Sequence, residues 1–285
     1  MVSNLISENM TFRSNILLFG ILVLMKVLFS GCNTTNHTIS GSKMNVTALD
    51  IEVDKLGNYY LIDNENNIVK YNKNRKPVYS YSNNQFGNPA MIDVINPHKI
   101  LVFYKQQQTL VFLDNTLSEI SIISLNPNSF YSSAGMANDG NIWLFDSYYY
   151  KLVKIDMNGV LIDESFPVEE IGSAKIHDSK IVERENYVLI VDMDDNVFLY
   201  TNLGYFIRKI HLSGIVKPTV LNKKIYYFNR IKNTYSVYDL KYKEEDIIFE
   251  FDNIKPLLVL YENNRFYVLA DNKVTVIPLR NELLH

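Results

Sequence analysis

A short apolar strand ending in Asp, Asn or Tyr returns six times along this chain, and no other feature constrains the fold as tightly. The copies are Asn58-Tyr-Tyr-Leu-Ile-Asp63, Lys99-Ile-Leu-Val-Phe-Tyr104, Asn141-Ile-Trp-Leu-Phe-Asp146, Tyr187-Val-Leu-Ile-Val-Asp192, Lys224-Ile-Tyr-Tyr-Phe-Asn229 and Phe266-Tyr-Val-Leu-Ala-Asp271. They end at 63, 104, 146, 192, 229 and 271, so the unit recurs every 37 to 46 residues. That is the length of a four-stranded blade, which cannot bury its apolar faces alone and must stack on like neighbours.

Each copy is followed by a polar turn and a further strand, as in Asn67-Ile-Val-Lys-Tyr71, Lys151-Leu-Val-Lys-Ile155 or Lys273-Val-Thr-Val-Ile277. Several of these third strands alternate apolar and polar residues, which predicts one face on a neighbouring blade and the other near solvent. Turn residues follow, such as Asp114-Asn115 and Asn158-Gly159, and then fourth strands in five units. The expected fold is all-β: a six-bladed β-propeller of four-stranded antiparallel blades over residues 49–285. The sixth unit lacks a fourth strand of its own, and residues 38–46 are the candidates to supply it and close the ring. No sustained helical period appears beyond residue 48; Glu164 to Ile171 has room for one turn.

Composition agrees with strands and turns, with 20 Tyr and 15 Phe against 11 Gly and 8 Pro. With 28 basic and 31 acidic side chains the net charge is −3. No basic excess or stripe exists to neutralise phosphates, so nucleic acid is not expected as a partner. Lys223-Lys224 and Lys241 to Asp246 read as solvated turns.

The N-terminus reads as an address. Residues Asn15 to Met25 form an apolar run preceded by Arg13, too short to span a bilayer as a stable helix but matching the core of a signal peptide. Leu28-Phe29-Ser30-Gly31-Cys32 follows and holds the one cysteine of the chain, so no intrachain disulfide can form. This segment resembles the lipobox of bacterial lipoproteins. The resemblance implies a signal peptide over 1–31, a lipidated N-terminus at Cys32 and export. Asn33, rather than Asp, after the cysteine implies sorting to the outer membrane. Two departures stand out: Leu lies one place early, and Lys26 sits close to the cleavage point. Residues 32–48 are polar, a tether that also holds the candidate closing strand.

Gly140-Asn-Ile-Trp-Leu-Phe-Asp146 followed by Lys151 to Gly159 is similar to a blade of the NHL/TolB-like six-bladed propellers. Phe86 to Pro97, continued by Lys99 to Asp114, resembles a group of uncharacterised bacterial propeller lipoproteins. These resemblances cover nearly all of the mature chain. They imply a fold and carry no catalytic residue.

Chemistry is sparse. His37, His98, His177, His211 and His285 are widely separated, with no metal-ligand spacing. Glu52, Asp54, Asp93, Asn138 and Asp178 are candidate oxygen ligands for calcium at strand ends, but Asp and Asn at strand ends also cap backbone groups. No Gly-x-Ser-x-Gly, phosphate loop or dinucleotide fingerprint is present, and the single Trp143 reads as packing between blades. No catalytic residue, metal site or cofactor is therefore assigned. Tyr148, Tyr149 and Tyr150 lie consecutively at a turn, where at least one should be exposed as an anchor for a protein or glycan partner. Lys105-Gln-Gln-Gln108 occupies the equivalent turn one unit earlier. The resulting expectation is a membrane-tethered, non-enzymatic, monomeric binding module in the bacterial envelope. The alternative is a metal-dependent, lactonase-like propeller hydrolase.

Overall fold

A computed structural model of the chain describes residues 42–45, 47–168 and 180–279. Cys32, the signal segment and most of the tether lie outside the described residues, as do His37, His177, Asp178 and His285.

Six antiparallel sheets of four strands each make up the ring. Strand β1 (Ser42–Asn45) comes first in the chain. The first blade then runs from the inside outwards as β2 (Ala48–Val53), β3 (Tyr59–Asp63), β4 (Ile68–Tyr71) and β5 (Pro77–Tyr81). The second holds β6 (Met91–Asp93), β7 (Ile100–Tyr104), β8 (Thr109–Leu113) and β9 (Glu119–Ser124), and the third β10 (Tyr131–Met136), β11 (Ile142–Asp146), β12 (Lys151–Ile155) and β13 (Leu161–Glu164). The fourth consists of β14 (Val182–Arg184), β15 (Tyr187–Val191), β16 (Asn196–Thr201) and β17 (Phe206–His211). The fifth has β18 (Ile215–Leu221), β19 (Lys224–Asn229), β20 (Thr234–Asp239) and β21 (Glu245–Glu250). The sixth contributes β22 (Leu258–Glu262), β23 (Arg265–Ala270) and β24 (Lys273–Pro278), and its outermost strand is β1. Ser42 pairs with Val276 and Asn45 with Lys273, so the first strand among the described residues closes the sixth blade, within the stretch expected to do so.

The terminal Asp or Asn of the repeat has a mechanical cause. At the end of β3, Asp63 Oδ1 accepts the backbone N–H groups of Glu65 and Asn67, each at 2.9 Å. Asp192 does the same for Asp194 and Asn196, and Asn229 for Ile231 and Lys232. A short side chain with an acceptor oxygen satisfies turn donors that the sheet cannot reach. The outer hairpins use the same device: Asp114 caps Thr116 and Ser118, and Asp156 caps Asn158 and Val160. Between third and fourth strands the register shifts by a bulge in all of the first five blades. Such a bulge strengthens the twist with which each outer strand leaves its blade.

The core lies between blades. Phe103 and Phe112 of the second blade pack with Leu144 and Val153 of the third, and Trp143 and Phe145 of the third with Ile190 and Phe198 of the fourth. Tyr59 of the first blade joins Tyr267 of the sixth. Phe266 is the centre of an aromatic cluster on the fifth and sixth blades, 4.6 Å from Tyr235 and 5.4 Å from Phe249. This sandwiching corrects one expectation. Not every third strand has a face near solvent: β8 is buried throughout and β12 nearly so, whereas β4 alternates buried and half-buried residues, and the exposed strand is the fourth. Lys70 and Lys154 on these strands are themselves buried and find partners inside. Lys70 Nζ donates to the carbonyl of Asn115 at 2.7 Å, and Lys154 lies 4.8 Å from the Trp143 ring while pairing with Asp139.

Trp143 packs between blades as expected and donates Nε1–H to Glu183 Oε2 at 2.6 Å. The helical turn expected from Glu164 does not form over the described residues. Glu164 ends β13, and Ser165 continues that pairing by exchanging hydrogen bonds with Leu152.

Candidate functional site

The innermost strands face the axis of the ring, and what they carry differs from side to side. On one side the third and fourth blades are zipped together. β10 reads Tyr-Ser-Ser-Ala-Gly-Met and is buried throughout. Its Ala134 carbonyl accepts the backbone N–H of Ile181 at 2.8 Å, forming a parallel bridge with Lys180. Gly135 permits the approach, because a Cβ there would stand 2.0 Å from the Ile181 carbonyl oxygen.

Charge braces the rest of the channel. Lys217 on β18 pairs with Asp50 at 2.7 Å and with Glu52 Oε1 at 2.8 Å, both on β2. The other Glu52 oxygen takes Lys180 at 3.1 Å, and Lys180 also reaches Asp93 on β6 at 3.3 Å. Asp93 then accepts the backbone N–H of Met136, at 3.0 Å, in the third blade. One chain of contacts thus links five blades across the axis. Glu52 and Asp93 are almost wholly buried, at 6% and 2% exposure. Burial alone would push the Glu52 carboxyl up, but Lys180 and Lys217 outweigh it and hold it at about 2. Burial disfavours the Lys217 ammonium too, yet Asp50 and Glu52 lift it above the ordinary lysine range.

Local strain positions Lys217. It has φ +49° and is followed by Pro218, where the register of β18 against β19 shifts between Val216 and Thr219. An innermost strand has a free edge on the channel, so it tolerates a proline and a bulge that an interior strand would not.

Beside this brace lies a cavity of about 400 Å³, lined by residues of the first, second, fourth, fifth and sixth blades. Arg184, Tyr261 and Glu262 form part of its wall, together with Tyr235, which is 1% exposed. The Tyr235 hydroxyl has no hydrogen-bond partner among the described residues. Burial raises the Tyr235 phenol well above its ordinary range, so it is a neutral O–H. Burial also raises the Glu262 carboxyl, against the opposing pull of Arg184.

Of the five candidate calcium ligands Asp178 lies outside the described residues, and the other four do not form a common cluster. Glu52 and Asp93 are joined through Lys180. Asp54 is committed to its own turn: it accepts the N–H groups of Leu56 and Asn58, the Asn58 amide and the Tyr60 hydroxyl. Asn138 is exposed and donates to the Glu185 carbonyl. Among the described residues no group of three or more His, Cys, Asp or Glu is placed to hold a metal ion. His98 and His211 are exposed on different blades.

Tyr148, Tyr149 and Tyr150 are all exposed, at 63%, 54% and 38%. Asp146 Oδ1 caps the turn through the N–H groups of Tyr148 and Tyr149, and Tyr150 has φ +52°. The rings of Tyr148 and Phe130 lie 6.0 Å apart, and Lys105 Nζ lies 6.0 Å from the Phe130 ring, so the two equivalent turns meet on one rim. Gln108 is not available there, since its amide is stitched to the backbone of Lys105 and Tyr131.

Sequence reading found Glu52 and Asp93 but missed Lys180, Lys217, Asp50, Tyr235 and Tyr261. One signal was visible: Lys217-Pro218 interrupts the apolar pattern of β18, as only an edge strand allows.

No protein-family model matches the sequence, and no curated protein matches it. Solved structures match at the level of fold. The chain is similar to virginiamycin B lyase from Staphylococcus aureus, with a TM-score of 0.56 and 15% identity over 85% of this chain and 89% of that one. It is similar to BamB from Moraxella catarrhalis, with a TM-score of 0.53 and 11% identity over 86% and 98%. A Bacteroides caccae protein of unknown function matches with a TM-score of 0.54 and 14% identity over 71% and 78%. At such identities the shared property is the propeller fold, and function must come from the residues of the site.

Proposed function

We propose that this chain is an exported, lipid-anchored propeller of the NHL-like kind that serves as a non-enzymatic binding module in the bacterial cell envelope. The observation that carries the reading is the position of Cys32, the chain's one cysteine, behind an apolar run and the small residues Ser30 and Gly31. Asn33 favours the outer membrane as its address. The exposed tyrosines 148–150, with Phe130 and Lys105 beside them, offer a rim of amphipathic anchors to a protein or glycan partner.

The channel supports binding over metal-dependent hydrolysis. Glu52 and Asp93, the two buried acids that a calcium site would recruit, already neutralise Lys180 and Lys217. A lactonase-like activity would first require that brace to come apart. That a neighbour of the same fold is an enzyme, a lyase, keeps an enzymatic propeller, the metal-dependent lactonase-like hydrolase, as the second reading.

Metabolic labelling with a palmitate analogue in a Gram-negative host tests the anchor. Wild type should take up label and sediment with outer membranes, and Cys32→Ser should lose both. An unlabelled wild-type protein in the soluble fraction would overturn the reading. Calcium at millimolar concentration should leave the melting temperature unchanged, and a clear rise would favour the hydrolase.

A further inference from the structure

We infer that the channel cavity binds a small monoanion, a carboxylate on an apolar body, with the Arg184 guanidinium as its counter-charge. The inference deepens the binding-module reading and rests on it, but it concerns the axis of the ring rather than the rim or the anchor.

Charge selects the ligand. Among the described residues four cations line the cavity: Lys180, Arg184, Lys217 and Arg230. Three of them are matched. Lys180 is shared between Glu52 and Asp93, Lys217 between Asp50 and Glu52, and Arg230 pairs with Asp195 at 2.9 Å. Arg184 has no ion pair among the described residues; its Nη1 donates to the backbone carbonyl of Glu183 at 3.1 Å. A guanidinium has five N–H donors in a planar fork and keeps its charge in proteins. With one N–H on that carbonyl, four remain, and a carboxylate can take two of them at once.

The acids of the same wall give a cation no comparable opening. Asp50 and Glu52 hold the two lysines. Asp192 spends Oδ1 on the N–H groups of Asp194 and Asn196 and Oδ2 on the Asn196 amide. Glu262 feels the pull of Arg184, but burial favours its neutral form, and a carboxyl can take up a proton where a guanidinium cannot lose one. The unmatched charge is therefore positive and single. A doubly charged anion would need a second unmatched cation, and these residues supply none. Away from Arg184 much of the wall is apolar, with Met91, Val182, Ile215, Leu258 and Leu260 among its residues, and its volume of about 400 Å³ falls within the range of small-molecule sites. One anionic group on an apolar body answers both halves of that wall.

The test uses the full-length chain and named probes. Hexanoate, benzoate and phenylacetate are each added in a thermal-shift assay, with their amides as neutral controls, benzylamine as a cation and inorganic phosphate as the more highly charged anion. Hits are titrated by calorimetry. At least one of the three carboxylates should raise the melting temperature more than its amide, benzylamine or phosphate. Arg184→Met should weaken that carboxylate about ten- to a hundredfold, the loss of a charge-assisted contact. Glu262→Gln should bind it as tightly as wild type or more tightly, because a competing acid is gone. The comparison of each carboxylate with its amide is made on wild type and holds whether or not a variant folds. The inference is overturned if no carboxylate stabilises the chain, if an amide, benzylamine or phosphate binds as tightly as the best of them, or if folded Arg184→Met binds like wild type. Palmitate labelling reports on the anchor independently. Failure of the carboxylates with labelling intact removes this inference alone, and failure of labelling with carboxylate binding intact removes the anchor alone.

Discussion

Two seams of the ring solve the same problem in opposite ways. Between the third and fourth blades the inner strands come close enough to share a backbone hydrogen bond, with Gly135 making room. Across the axis from the fifth and fourth blades to the first and second, side-chain charges bridge the gap instead, and a cavity is left beside them. A backbone seam made of small residues is closed and chemically mute. A charged seam keeps the blades in place while leaving space and hydrogen-bonding groups in the channel. Function is therefore sought on the second side.

The sharpest way to break the comparison is to remove the centre of the charged seam. Glu52→Ala should destabilise the fold by about 3–5 kcal/mol, because Lys180 and Lys217 each lose one of their two carboxylate contacts. Chemical denaturation measures it, and a loss below about 1 kcal/mol would show that the brace is ornamental.

Acid should do the same reversibly. The Glu52 carboxyl is held at about 2 in the fold against an ordinary value of 4.5. Its contribution is present above about pH 4.5 and is lost as pH falls towards 2, a span worth about 3 kcal/mol. Melting temperatures recorded across that window should fall more steeply for wild type than for Glu52→Gln.

The closed seam is probed by Gly135→Ala. A methyl group there meets a backbone carbonyl rather than a movable side chain, so the third and fourth blades must part, at a cost of about 1–3 kcal/mol. The amide proton of Ile181 should then exchange faster with solvent. The smallest effect is expected for Tyr235→Phe in the free protein. Deleting a hydroxyl with no partner should change stability by about 1 kcal/mol or less, in the stabilising direction.

These seams also mark the limit of what could be read from the chain. The second strands were legible because each blade needs a buried apolar strand, and in four of them Asp63, Asp146, Asp192 or Asn229 closes it by capping the next turn. The closing strand was legible by subtraction, since a sixth unit lacking an outer strand must borrow one. The brace was not legible. Glu52 meets Lys180 and Lys217 across 128 and 165 residues, and nothing in the local pattern of β2 or β18 announces the partner. Tyr235 was hidden for a different reason: it sits in a third strand, where an aromatic residue reads as packing, and its ring does pack.

The pairing of Ser42–Asn45 with the last strand also dictates an order of assembly. Asn45 cannot meet Lys273 until all of the residues between them have been synthesised. The earliest segment must therefore wait, unpaired, while five blades form from nearby contacts. Closure is the most non-local event in the molecule and the natural candidate for its slowest step. A protein cut short anywhere before β24 would leave two unsealed rims, exposed to pairing with other copies.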